Sequence, residues 1–156
     1  MAAKVAGQAF PERLRGGLHR WSTLQVNCSR PPEDAALVQE LHEDGTLLTL
    51  ACATGPGLEV RRKTGALVPA TAEPPEMIVM AGEIAHLLTG GAVEPLYHCV
   101  RPARDVPERL ALLYFADLDP SLCEPWVRNA FNRDAAIGER VLTNPTRFGL
   151  RGFNVS

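Results

Sequence analysis

TLLTLACA, residues 46–53, decides the fold because it is rich in β-branched and apolar residues and follows a glycine. Gly45 interrupts the preceding segment EDAALVQELHED (33–44), whose front half has the spacing of a helical turn. Apolar runs of this length that begin and end at turn residues are typical of buried strands. The sequence therefore predicts a strand after Gly45, with the polar residues His42 and Asp44 at its mouth.

Six further segments have strand character, and turn residues separate them. They are STLQVN (22–27), LEVRR (58–62), ALVPA (66–70), MIVMAG (77–82), PLYHCV (95–100) and RLALLYFADL (109–118). About seven short strands at this spacing indicate a mainly β sandwich or barrel. EIAHLLTGG (83–91) predicts a helical turn that ends at glycines, and 119–145 contains two segments with helical spacing.

Length and pattern indicate one domain in three parts. The chain has 156 residues, which suits a single hydrophobic core. We predict a polar lead-in at 1–21, a β core at 22–118 and a short C-terminal helical segment at 119–156.

Charge and hydropathy favour a protein that binds neither nucleic acid nor a membrane. The formal net charge is −2 and Arg61 to Lys63 is the longest basic run, so no electrostatic footprint for a polyanion stands out. No stretch approaches the roughly 20 apolar residues of a membrane span. We expect a soluble, cytoplasmic protein. Its four cysteines are far apart in sequence and are expected to be buried reduced thiols, namely Cys28, Cys52, Cys99 and Cys123.

His42 and Asp44 are candidate metal ligands. In an extended segment, residues two apart point to the same side, so an imidazole and a carboxylate at this spacing can share one metal ion. The spacing alone is common, and a solvated polar turn ahead of a strand is the alternative interpretation.

A metal site needs a third ligand, and His98 is the leading candidate. It lies between apolar neighbours in PLYHCV (95–100), where an imidazole without a partner would be costly to bury. His19 and His86 are the alternatives, but the first lies in a polar segment and the second in the predicted helical turn. Two histidines and one carboxylate form the set that non-haem iron(II) oxygenases use.

The order of these motifs resembles a known family. From about Thr23 to Leu118, the chain is similar to the C-terminal catalytic core of the isopenicillin N synthase-like family of iron(II)/2-oxoglutarate-dependent dioxygenases, which have a double-stranded β-helix (jelly-roll) fold. HEDGTLLTL (42–50) resembles the family's H-x-D-x-G-x-L-T-L strand. GPGLEV (55–60) resembles its G-G-L-Q-V segment, and LYHCVRP (96–102) stands where the family has its distal histidine.

The resemblance implies roles for individual residues. His42, Asp44 and His98 would be the iron ligands. Arg109 would bind the distal carboxylate of 2-oxoglutarate, which suits the planar, charged fork of a guanidinium. Asn27 would lie in a strand end that also contacts the cosubstrate.

The chain departs from the family's pattern at two cosubstrate contacts. Ala111 replaces the serine of the family's R-x-S motif, and Ser29 stands near its tyrosine position. The loss of one neutral hydrogen bond, about 0.5–1.5 kcal/mol, would weaken cosubstrate binding by several-fold to about tenfold. A surface ion pair between Arg109 and Glu108 is the alternative to a cosubstrate role.

The implied activity is oxidation of a small organic substrate, by hydroxylation or desaturation, with O₂ and release of succinate and CO₂. Two other functions stay open. One is an iron oxidase of the same fold without 2-oxoglutarate, with a reductant such as ascorbate. The other is a truncated or degenerate jelly-roll relative that acts as a metal-binding or interaction module, with a homodimer as one form. Four residues on predicted strands are candidates for the substrate pocket: Leu50, Met80, Tyr97 and Tyr114.

Overall fold

The computed structural model describes residues 21–30, 36–73, 75–119, 124–133 and 137–143. These residues form eight strands: β1 (Thr23–Ser29), β2 (Gln39–His42), β3 (Leu48–Ala53), β4 (Leu58–Arg61), β5 (Leu67–Pro69), β6 (Ile78–Ala81), β7 (His98–Val100) and β8 (Arg109–Ala116). They also form two helices, α1 (Glu83–Leu88) and α2 (Ile137–Thr143). Each of the seven predicted strand segments contains a strand, so the mainly β prediction is confirmed.

The strands form two antiparallel four-stranded sheets, and the chain crosses repeatedly between them. The strand order is β1-β8-β3-β6 in the first sheet and β2-β7-β4-β5 in the second. Successive strands therefore alternate between sheets except at the β4–β5 hairpin. This interleaving of eight strands is the jelly roll, or double-stranded β-helix, and it confirms the predicted fold.

Strand β8 shows which face of the first sheet points inward. Arg109 and Ala111 are buried, whereas Leu110 and Leu112, which alternate with them, are 41% and 39% exposed. Because successive side chains of a strand point to opposite faces, Arg109 and Ala111 face the interior between the sheets. Residues paired with them across the sheet share that face.

The interior and the helical end have separate hydrophobic clusters. Between the sheets, Ala51, Leu58 and Met80 pack together. At one end, α1 and α2 pack with residues from the two adjoining strand ends, forming a cluster of Leu47, Ile84, Ala85, Leu87, Leu88, Leu118, Ile137 and Val141. The second cluster closes one end of the β core and places the N-terminus of α1 against the chain that enters β3.

The structure departs from the sequence predictions at two places. The strand Gln39–His42, in the rear half of the segment before Gly45, was not predicted; it forms because it pairs with β7. Residues 124–133, within the segment expected to hold the first C-terminal helix, form turns against α1. The amides of Trp126 and Val127 both donate to the carbonyl of Leu88. This segment therefore supplies hydrogen-bond donors to the last carbonyl group of α1.

The outer face of the first sheet is apolar and exposed. Five side chains on this face are 39–63% exposed: Leu24, Val26, Val79, Leu110 and Leu112. Cys28 is exposed on the same face, Cys52 is partly buried and Cys99 is buried, so burial was correctly predicted for Cys99 and wrong for Cys28. Cys123 lies outside the described residues. Within the described ranges, neither helix has the length and apolar character to cross a bilayer.

Gly82 allows the N-terminus of α1 to approach the turn before β3. Its backbone is extended, with φ −101°, so any residue could adopt its conformation. A Cβ atom at this position, however, would collide with the carbonyl oxygen of Thr46 and lie 2.7 Å from that of Asp44. Gly82 is therefore required for space.

Replacing Gly82 with alanine is expected to destabilise the fold by about 1–3 kcal/mol or more, because backbone atoms on both sides would have to move. The measurement is urea unfolding followed by tryptophan fluorescence. Gly65→Ala is the matched control: Gly65 has φ +85° with no neighbouring atom within 4 Å of a Cβ, so it incurs only conformational strain of about 1–2 kcal/mol. Equal stability of wild type and Gly82→Ala would contradict the steric argument.

Candidate metal centre

His42 and His98 lie directly opposite each other on β2 and β7. Their ring centroids are 4.3 Å apart, and a bulge or irregularity in β2 lies between Gln39 and His42. His98 also pairs with Val60 on its other side. The second sheet therefore brings together two imidazoles that are far apart in the sequence.

Asp44 completes the cluster from the connection between the two sheets. Its Oδ1 atom lies 3.7 Å from Nε2 of His42 and 3.9 Å from Nε2 of His98. One donor atom from each residue lies within 4.8 Å of the other two. The structure thus brings the three predicted ligands together, but His42 ends a strand of one sheet and Asp44 lies in the crossover to the other. The expectation that both lie at the mouth of a single strand was wrong.

Backbone carbonyls orient both imidazole rings. Nδ1 of His42 lies 2.6 Å from the carbonyl oxygen of Glu40, and Nδ1 of His98 lies 3.0 Å from that of Leu96. A carbonyl oxygen can only accept, so each Nδ1 carries a proton, and in the neutral form of each ring the lone pair is then on Nε2, the nitrogen nearer Asp44. Metal-binding histidines are held in this way, with the second ring nitrogen donating to a carbonyl or carboxylate.

Two further contacts hold Asp44. The backbone amide of Glu83 at the start of α1 donates to the Asp44 carbonyl at 2.8 Å. The hydroxyl of Thr49 donates to Oδ2 of Asp44 at 2.5 Å. The sequence analysis did not identify Thr49 as part of the site. The signal that could have identified it is a hydroxyl side chain on an otherwise apolar buried strand, five residues after the candidate ligand Asp44.

The donor set fits a divalent transition metal. Ligands at about 2.1 Å from one ion can be up to about 4.2 Å apart. Both nitrogen–oxygen separations fall below that limit, and all three donor atoms lie within 4.8 Å of one another, so a small adjustment of the rings would let them share one ion. The side chains of Asp44 and His98 are 13% and 8% exposed, whereas that of His42 is 34% exposed. The cluster is thus shielded from solvent at Asp44 and His98 and accessible to solvent at His42, and a site with free coordination positions needs such access. Two imidazoles and one carboxylate match the facial set of non-haem iron(II) oxygenases.

Arg109 faces the interior and is 9% exposed. Its Nε donates to the carbonyl of Gly55 at 3.2 Å, and desolvation by burial lowers the pKa of its guanidinium. Among the described residues no carboxylate forms an ion pair with Arg109. Glu108, the alternative partner considered from the sequence, instead pairs with Arg30 at 3.3 Å. An inward guanidinium without a counter-ion is suited to bind an anionic ligand.

The other cosubstrate candidates lie beside Arg109 on the same face. Ser29 is opposite Arg109 and Asn27 is opposite Ala111 in the register of β1 with β8. Asn27 is exposed and accepts a hydrogen bond from Gln25. Ala111 is 5% exposed, and as an alanine it supplies no hydroxyl at the position of the serine in the R-x-S motif.

The pocket candidates are dispersed. Met80 lies inward opposite Thr49 and is 2% exposed. Leu50 and Tyr114 pair with each other on the outward face, because they alternate with the inward residues of β3 and β8. The Tyr97 ring lies 3.9 Å beneath the exposed guanidinium group of Arg61. Among these four candidates, only Met80 is buried on the inward face opposite Thr49, the residue that contacts Asp44.

Of the two alternative histidines, His86 does not join the cluster. His86 lies in α1, where its Nδ1 contacts the carbonyl of Val93 at 2.8 Å and its ring meets the edge of Phe131. His19 lies outside the described residues.

Solved structures with the same fold bind 2-oxoglutarate. The dioxygenase for auxin oxidation 1 from Arabidopsis thaliana, solved with 2-oxoglutarate, superposes with a TM-score of 0.62 at 22% identity over 74% of this chain. A full-length Neurospora crassa protein, solved in complex with alpha-KG, gives 0.56 at 19% identity over 67%. JOX2, in complex with 2OG, Fe and JA, gives 0.59 at 24% identity over 65%.

The chain has the fold of these oxygenases. The alignments cover 45%, 35% and 30% of the three proteins, so the chain spans less than half of their length. No known family profile and no curated protein matches the sequence. The oxygenase fold predicted from the motifs is confirmed by structure.

A buried carboxyl group lies close to the cluster, just after the end of β8. Asp117 is 3% exposed and accepts a hydrogen bond from the amide of Leu47 at 3.2 Å. Burial raises its pKa to about 8; the Leu47 amide opposes this shift, and the negative charge of Asp44 adds to it. Asp117 therefore retains its proton at neutral pH.

The stability of the metal-free protein is expected to fall as pH rises from about 4 to about 8. The pKa of Asp117 is about 8 in the folded state against 3.8 as the ordinary value, so the folded state binds more protons in this interval. This group would contribute up to about 1.4 kcal/mol per pH unit. Asp117→Asn keeps the oxygen acceptor and should flatten the curve, measured by urea unfolding in EDTA. Parallel curves for wild type and variant would contradict the assignment.

Proposed function

We propose that this protein is a non-haem iron(II)- and 2-oxoglutarate-dependent dioxygenase that oxidises a small organic substrate with O₂. The observation that supports it most directly is the cluster of His42, Asp44 and His98, whose two Nε2 atoms and one carboxylate oxygen converge within the oxygenase fold. Bound iron(II) would supply the activation of dioxygen, which no protein side chain can provide.

The protein's own groups have three roles in this proposal. The carbonyls of Glu40 and Leu96 keep the Nδ1 protons in place, so that both imidazoles are ready to bind a cation. Asp44 supplies a negative charge in a largely desolvated position, which strengthens its attraction for a divalent ion. The buried apolar residues between the sheets limit the access of water to the interior.

Arg109 is the proposed site for the distal carboxylate of 2-oxoglutarate. Its Nε is engaged by Gly55, which orients the guanidinium and leaves its two η-nitrogens to form a paired contact with a carboxylate. Ala111 adds no hydroxyl, so we expect Arg109 to contribute most of the affinity for this group. The hydroxyl of Ser29 lies across the strand pair from Arg109.

We expect anaerobic addition of iron(II) and then 2-oxoglutarate to produce a weak visible charge-transfer band in wild-type protein. His98→Ala should lose the band because it loses a ligand. Arg109→Ala should raise the 2-oxoglutarate concentration for half-saturation by about 10–100-fold, the equivalent of about 1.5–3 kcal/mol for charged hydrogen bonds. Arg109→Lys, which keeps the charge but loses the fork, should fall between the two proteins.

Arg101→Ala is the matched control for Arg109→Ala. Arg101 follows β7, its side chain is 50% exposed and it pairs with Glu59 at 2.7 Å, so its loss should leave the titration unchanged. Iron binding without any band, with 2-oxoglutarate in large excess over the protein, would contradict the cosubstrate assignment and favour an iron oxidase. Ascorbate is the reductant to test in that case.

An interaction module is the second candidate function. The outer face of the first sheet exposes five large apolar side chains, and a contiguous apolar surface of this kind is typical of binding sites. In this case the protein would associate with a partner through that face, with or without a bound metal, and a homodimer is one form of that association. Sedimentation of the same preparation therefore complements the iron titration.

A further inference from the structure

Two buried threonine hydroxyls connect β3 to the carboxylate of Asp44. Oγ1 of Thr49 lies 2.5 Å from Oδ2 of Asp44, and Oγ1 of Thr46 lies 3.2 Å from Oγ1 of Thr49. Thr49 is 0% exposed and Thr46 is 3% exposed. The shorter distance is in the range of hydrogen bonds between a hydroxyl and an ionised carboxylate.

The direction of both hydrogen bonds follows from the number of protons. An ionised carboxylate can only accept, so the single hydroxyl proton of Thr49 goes to Asp44. Thr49 then has only lone pairs to offer, and the proton between the two threonines must come from Thr46. The result is a directed series of hydrogen bonds from Thr46 to Thr49 to Asp44, in which each bond polarises the next.

This series determines which carboxylate oxygen is available to a cation. Oδ2 is engaged by Thr49, whereas Oδ1 is the oxygen that lies 3.7 and 3.9 Å from the two imidazole nitrogens. Because Thr49 is inaccessible, water cannot replace its hydroxyl without a rearrangement of β3. The backbone contact from the Glu83 amide holds the Asp44 carbonyl but leaves the rotation of the carboxylate free.

We propose that Thr46 and Thr49 are positioning residues that hold Asp44 with one oxygen toward the metal and thereby set the affinity of the site for divalent cations. The inference rests on the proposed function because it assumes that the cluster binds metal. It goes further in assigning a defined orientation of the carboxylate to two side chains that are not ligands.

The test is calorimetric titration of the metal-free protein with Co(II), alongside Thr49→Val and Thr49→Ser. Valine keeps the shape and the β-branch but removes the proton donor. We expect Thr49→Val to raise the dissociation constant by about 10–100-fold, the effect typical of losing a hydrogen bond that orients a ligand. Thr49→Ser should stay close to wild type, and Thr46→Val should show a smaller increase because it only weakens the series.

The visible spectrum of bound Co(II) provides a readout that general destabilisation would not change. In Thr49→Val, Oδ2 is no longer engaged and the carboxylate can rotate or use both oxygens, so the band shape should differ from wild type even at full saturation. Thr49→Ser should restore the wild-type spectrum.

Thr89→Val is the matched control. Thr89 is also buried, at 4% exposure, and its hydroxyl donates to the Ala85 carbonyl at 2.7 Å at the far end of α1. This variant loses a buried hydroxyl without any contact to Asp44, so its metal affinity and Co(II) spectrum should equal those of wild type even where its melting temperature falls.

Two outcomes would overturn the inference in different ways. Wild-type affinity and spectrum in Thr49→Val would refute the positioning role and leave the metal site intact. Failure of wild-type protein to bind Co(II) or iron(II), with no difference from His98→Ala, would refute the metal site itself and the positioning role with it.

Discussion

The candidate site depends on the antiparallel pairing of β2 with β7. This pairing sets His42 directly against His98, and their side chains share a face only in this register. A slip of one residue would turn one imidazole to the outside of the sheet. The irregularity between Gln39 and His42 lies in the same strand, where such features commonly re-aim a side chain next to a functional site.

The jelly-roll crossover then supplies the third ligand. The chain leaves the second sheet after His42 and enters the first at Leu48, so Asp44 lies between them with its backbone against α1 and its carboxylate against β3. Gly82 permits that approach because any side chain there would displace the turn. The geometry of the cluster is therefore a consequence of the fold's topology as well as of the ligands.

Buried polar groups are concentrated near this crossover, and each has a defined partner. Thr46 and Thr49 bond to each other, Asp117 accepts from Leu47, and Thr49 donates to Asp44. Arg109 differs because, among the described residues, its buried guanidinium donates only to a neutral carbonyl. A charge desolvated in this way without a counter-ion is costly, and such groups are typical of sites that receive an ion from outside the chain.

The sequence alone determined the mainly β class and seven of the eight described strands, because alternation of apolar residues and turn residues between strands are local signals. Its resemblance to a known family indicated the three candidate ligands and Arg109, but left open whether Arg109 points inward. Only the tertiary structure decided that Gln39–His42 is a strand, since this short segment is defined by its pairing with β7. It also decided that Leu50 and Tyr114 point outward, because alternation defines two faces but only packing decides which is buried. The link from Thr49 to Asp44 likewise arises where the crossover folds back onto β3, a contact that spacing along the chain does not specify.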